Sequence, residues 1–121
     1  MNKELHVALD TTRRTGEPEV DVMPMHLVLP QGTYNLRWTP FANEPFTFDL
    51  QYGLTPTNRF TGIVITAHEI KAQYTSDHQN APEFVYTIRV LDSSGNPHNS
   101  TPLGAKGLPG AGGGGPTIKN N

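Results

Sequence analysis

Cysteine is absent from this chain. That absence removes disulfides, thiolate zinc sites, iron–sulfur clusters and cysteine nucleophiles, along with type 1 copper, which needs a thiolate. Charge of one sign is lacking too. Acidic and basic residues are interspersed, Arg13-Arg14 is the only basic pair, and a formal charge of −2 creates no basic field for phosphate-driven binding of nucleic acid. No apolar run is long enough to span a bilayer, and Met1 to His6 has no apolar stretch like that of a signal peptide. The expectation is therefore a soluble protein of the cytoplasm of the producing cell, with neither a membrane nor a nucleic acid as partner.

What is present is alternation with period two. Leu5, Val7 and Leu9 alternate with His6, Ala8 and Asp10, and Val20 and Val22 alternate with Glu19 and Asp21. Tyr34, Leu36 and Trp38 form one apolar face against Thr33, Asn35 and Arg37. Phe46, Phe48, Leu50 and Tyr52 predict another strand, Ile63 and Ile65 a β-branched one, and Phe84, Tyr86, Ile88 and Val90 a last strong one. Pro24 cannot donate to a ladder, so it marks an edge, a bulge or a break between two short strands. Only residues 67–73 have the composition for a helical turn. Strands separated by Pro/Gly turns, with no crossover helices, predict an all-β chain. The expected architecture is one domain over residues 1–121, an antiparallel β-sandwich of about seven strands.

Residues 97–116 change character. They hold Gly104-Ala105-Lys106, Gly107-Leu108-Pro109 and Gly110-Ala111-Gly112, three triplets with the collagen period, too few for a triple helix. The composition predicts a flexible Gly/Pro-rich loop. After it, residues 117–120, with Ile118 among them, predict a short closing strand.

Two pairs of residues resemble the immunoglobulin-like sandwich. Leu36-x-Trp38 is similar to its third strand with the core tryptophan, and Tyr86-x-Ile88 is similar to its late strand. The resemblance implies Tyr86 at the tyrosine corner, Ile88 where a cysteine often stands, and Leu27 as its apolar partner. The pattern Tyr86-x-Ile88-x-Val90, a glycine turn and then Pro116-x-Ile118 resembles small bacterial β-sandwich families of unknown function such as the DP-EP family. Glu17-Pro18 and Glu44-Pro45 fit that name, while Gly115 stands where an aspartate would precede the final proline. The resemblance implies the fold and carries no activity.

Chemistry is sparsely marked. Met23-Pro24-Met25-His26 offers thioethers and an imidazole, the ligands that soft copper ions or zinc would draw on. Met23, Met25 and His26 are thus the candidate metal ligands, against the plainer reading that the methionines fill an irregular core. The histidines at 6, 26, 68, 78 and 98 form no local chelating motif, and His68-Glu69 and Asp77-His78 are adjacent, so on a strand they face opposite ways. Ser76, Ser93, Ser94 and Ser100 read as turn residues without a nucleophile-elbow context. No catalytic residue and no cofactor are assigned. The expected function is a non-catalytic binding or structural module acting on another protein or a copy of itself, through an edge near Pro24 or at Thr117 to Lys119. The alternatives are a Cys-free metal-binding sandwich and, last, a carbohydrate-active or hydrolytic domain.

Overall fold

A strand forms here wherever its alternate residues have a face to bury against. In the computed structural model, which describes residues 2–12, 17–77, 83–101 and 115–120, that condition yields twelve strands and no α-helix among the described residues. They are β1 (Asn2–Leu9), β2 (Val20–Met23), β3 (His26–Leu29), β4 (Gly32–Pro40), β5 (Thr47–Phe48), β6 (Leu54–Thr55), β7 (Thr61–Thr66), β8 (Glu69–Ser76), β9 (Glu83–Val85), β10 (Thr87–Leu91), β11 (Pro97–Asn99) and β12 (Thr117–Asn120). A 3-10 turn at Thr57–Arg59 precedes β7. No helix among the described residues is long and apolar enough to cross a membrane.

Five strands make one sheet in the order β2-β1-β4-β8-β7. Opposite it lie β11-β10-β5, with β6 also on β10, and the trio β3-β12-β9. Leu5, Val7, Tyr34, Leu36, Trp38, Ile70 and Tyr74 point from the first sheet into one buried cluster with Leu29, Phe48, Tyr86, Ile88, Val90 and Ile118 from the others. The apolar phases read from the sequence in β1, β4 and 84–90 are therefore the buried faces.

The expected all-antiparallel arrangement of about seven strands needs correction. β1 runs parallel to β4, and β12 runs parallel to β3; between β2 and β4 the chain crosses to the other sheet as β3 and returns. The expected strand at 46–52 stops at Phe48. Asp49 turns the chain, its Oδ1 accepting from the backbone N–H of Gln51 and of Tyr52 at 2.9 Å each, and this leaves Leu50 and Tyr52 exposed. The stretch 67–73 makes no helical turn. Ala67 and His68 join β7 to β8 as a hairpin, and the second strand continues to Ser76, further than its polar composition indicates.

Pro24, expected to mark an edge, a bulge or a break, is a break between two short strands. Its cis peptide with Met23 lies where the chain leaves the edge of the five-stranded sheet as β2 and becomes the edge of the three-stranded sheet as β3. The proposed closing strand is present, and Ile118 in it is fully buried. It lies between β3 and β9, so it offers no free edge.

The loop predicted over 97–116 does not hold at 97–101, since 97–99 are strand and Ser100 and Thr101 are buried. Residues 102–114 lie outside the described residues. On either side of them the chain follows the same edge of residues 83–91. Thr87 meets Thr101, their hydroxyl oxygens 3.0 Å apart, while the backbone N–H of Tyr86 already donates to Pro116 at 3.0 Å. Thr101 and Pro116 thus stand on adjacent rungs of one antiparallel ribbon.

Candidate functional site

The residues nominated from sequence as metal ligands lie at the Pro24 corner. Met23, Met25 and His26 are all exposed, so the methionines do not fill the core. Nδ1 of His26 sits 2.8 Å from the Thr117 hydroxyl, which occupies one ring nitrogen. Sequence spacing missed a closer imidazole. His6 lies directly opposite Met23 in the β1–β2 ladder, and cross-strand partners project from the same face. Phe41 packs edge-on against His6 with ring centroids 6.3 Å apart. Among the described residues no group of three or more His, Asp or Glu side chains is arranged to hold a metal.

A part-buried ionisable cluster lies elsewhere. His98 on β11 lies between two carboxylates, its Nδ1 2.9 Å from Glu19 Oε1 and its Nε2 2.8 Å from Asp92 Oδ2. Asp92 is already organised by its own turn, its Oδ1 accepting from the backbone N–H of Ser94 and of Asn96. Gly95 adopts φ +84° there, the left-handed conformation expected of this turn. Burial opposes charge on His98, but hydrogen bonds to Asp92 and Glu19 outweigh it and raise the imidazole pKa. The hydrogen bond from His98 first, then those from Asn96 and Ser94, hold the Asp92 carboxyl below its ordinary value. In the protonated ring both nitrogens donate, so neither lone pair is available to accept a proton or ligate a metal. The cluster joins β11, the 92–96 turn and the residue before β2; it is a clasp. Local spacing could reveal only Asp92 and His98 flanking one turn, and Glu19 was invisible.

Beside this clasp the chain turns at 44–47, 68 and 92–93 enclose a cavity of about 270 Å³, lined by Glu44, Phe46, His68, Asp92 and Ser93 among others. His68 lines this cavity from the β7–β8 turn while Glu69, the first residue of β8, bonds the Arg37 guanidinium on the sheet, so the adjacent pair is separated by the turn and not by strand alternation. His78 lies outside the described residues. Ser76 is not a turn residue but the last residue of β8, and Ser100 directly follows β11. Both are buried, Ser76 donating to the Leu29 carbonyl at 2.8 Å and Ser100 Oγ accepting from the Ile88 N–H at 2.7 Å.

The outer face of the five-stranded sheet is organised in polar rows. Asn2, Asn35 and Gln73 form a side-chain amide ladder with 3.2 Å bonds across β1, β4 and β8. One rung along, Arg37 bridges Glu4 and Glu69, and the hydrogen bond from Arg37 lowers the Glu69 pKa. No protein-family model matches this chain, and neither a curated protein nor a solved structure matches it.

Proposed function

We propose that this chain is a non-catalytic binding module that pairs through its β2–β3 edge with an extended segment of another polypeptide, a second copy of itself being the simplest case. One observation carries the reading. Of the eight large apolar side chains left exposed among the described residues, three (Met23, Met25 and Val28) fall within six positions of that edge. Apolar side chains beside an edge strand suit a partner that adds main-chain hydrogen bonds and side-chain contacts together. The opposite edge is less suited, because β7 carries a register shift between Thr61 and Val64 with Gly62 at φ +60°. The strands are read as immunoglobulin-like, a reading supported by the contact of Trp38 with Tyr86 in the core.

The test is sedimentation of the wild type and of Val28→Lys across a wide concentration series. The wild type is expected to gain mass with concentration and the variant to remain a monomer. A wild-type mass that stays monomeric throughout sinks self-pairing.

A second reading rests on the His6–Met23 pair. With Met25 and the free nitrogen of His26 nearby in sequence, this corner supplies thioether and imidazole ligands for a soft monovalent ion such as Cu(I). Titration with Ag(I) should show stoichiometric binding that weakens in His6→Ala and in Met23→Leu. Absence of stoichiometric binding by the wild type excludes it.

A further inference from the structure

A second cavity belongs to neither reading. It has a volume of about 320 Å³ and lies between the 57–59 turn and the β7–β8 hairpin, lined by Asn58, Arg59, Thr61, Gln73 and Thr75. Arg59 and its neighbours are brought together by the cis peptide turn at Thr55-Pro56 and the 3-10 turn that follows, while Thr61, Gln73 and Thr75 come from the adjoining strands.

Three features limit what could fill it. The first is charge. Among the described lining residues Arg59 is the one charged group, and none of them is a carboxylate. The second is positioning. The Arg59 guanidinium carbon lies 4.9 Å from the centroid of the half-buried Phe84 ring, which itself packs against Phe60 and Tyr74, so the cation rests on an aromatic support anchored in the core. The third is the mixture of donors and acceptors. Gln73 Nε2 donates to Asn35 Oδ1, and Asn35 Nδ2 donates to Asn2 Oδ1, so the ladder orients the Gln73 amide from outside the cavity. The Gln73 carbonyl oxygen is not used by that ladder. Thr75 is held by Thr33, hydroxyl oxygens 3.2 Å apart, and Asn58 and Thr61 each carry a group that can both donate and accept.

We infer that this cavity binds a small polyhydroxylated carboxylate, a sugar acid. A guanidinium matches a carboxylate through two parallel N–H···O bonds, and one cation balances one negative charge. A phosphate monoester, with nearly twice that charge, would be left under-neutralised. A neutral sugar would leave the cation unused, and the Phe84 face on which it could stack is already covered by Arg59. Amide and hydroxyl groups suit the remaining ring hydroxyls, which likewise donate and accept. The volume falls at the small end of ligand sites.

The experiment is a backbone-amide NMR titration of the full chain with glucuronate, with glucose and acetate as separate arms. Glucuronate is expected to shift residues 58–61 and 73–75 in a saturable manner, and glucose and acetate to bind at least about tenfold more weakly, since each supplies only half of the contacts. Arg59→Gln should weaken glucuronate binding about tenfold or more. Gln73→Ala, on the exposed face and away from the Phe84 support, should weaken it by a smaller factor, so the inference stands on two variants even if one loses stability. Glucuronate shifts that are absent, map elsewhere or persist unchanged in both variants overturn it. Acetate binding as tightly as glucuronate also overturns it, because the hydroxyl contacts would then contribute nothing.

Discussion

Thr101 and Gly115 meet. A β-carbon built on Gly115 would lie 2.6 Å from Cγ2 of Thr101 and 2.7 Å from Cγ1 of Val85, so the segment between them begins and ends at one point on the sheet. Its ends are brought together by the ribbon, and its length is not needed for pairing. Glycine is required at 115 for closeness alone. We expect Gly115→Ala to destabilise the fold by about 1–3 kcal/mol through overpacking, read as a lower urea midpoint. Removal of 102–115, which joins Thr101 directly to Pro116, should keep a cooperative transition and lose no stability, since Thr101 and Pro116 already bond to the adjacent residues Thr87 and Tyr86 and a shorter connection costs less closure entropy. A deletion variant that fails to fold would show that the segment is part of the core.

Ile118 gives the second prediction. It is fully buried and lies opposite Leu27 on one side and Phe84 on the other. Ile118→Ala should cost about 2–5 kcal/mol by removing buried surface and leaving a cavity. An equilibrium unfolding midpoint equal to that of the wild type would mean that the closing strand contributes nothing to the fold.

Trp38 and Tyr86 are coupled through one hydrogen bond. The indole N–H donates to the Tyr86 hydroxyl at 3.2 Å, and the rings meet edge to face with centroids 5.6 Å apart. Burial pushes the Tyr86 hydroxyl pKa far up, so it remains neutral and available as an acceptor. Tyr86→Phe removes the oxygen and leaves a buried N–H without its partner, at a cost of about 1–3 kcal/mol. Trp38→Phe combined with Tyr86→Phe should cost less than the two single changes added together, because the N–H is then gone as well. Strict additivity would deny the coupling.

The clasp at His98 makes stability depend on pH in two directions. The His98 pKa is raised in the folded state, so its contribution is full below the ordinary imidazole value of 6.5 and is lost as pH rises through the folded value. The Asp92 pKa is lowered, so its contribution is full above the ordinary carboxyl value of 3.8 and is lost as pH falls through the folded value. Both are fully present between those two ordinary values. The urea midpoint should therefore be higher at about pH 5 than at about pH 8.5, and His98→Gln should flatten that difference. Equal wild-type midpoints at the two pH values would remove the clasp from the account.

Much of the scaffold was legible from neighbouring residues. Tyr34, Leu36 and Trp38 share a face because a strand has period two, and no distant partner is needed to know it. Pro24 announces a break because it lacks an N–H. The same local logic failed at Leu50 and Tyr52, where the Asp49 side chain captured two backbone N–H groups and turned the chain before the apolar pattern ended. It overestimated the loop at residues 97–101, where polar side chains are buried and hydrogen-bonded to the neighbouring strand. The candidate sites were less legible still. The Met-His corner was read from four consecutive residues, but His6 joined it only through strand pairing.

By itself, then, the sequence determined that the chain is all-β, which faces of its main strands turn inward, and that chemistry depending on cysteine is excluded. Those properties depend on residue type and on separations of one or two positions. Tertiary structure alone decided that β1 and β3 have parallel partners, that His98 lies between Glu19 and Asp92, and that Arg59 and Gln73 line one cavity. Each of these joins residues far apart in the chain. Such pairings follow from which buried faces and backbone groups can be satisfied together, a condition imposed by the whole core and not by any one segment.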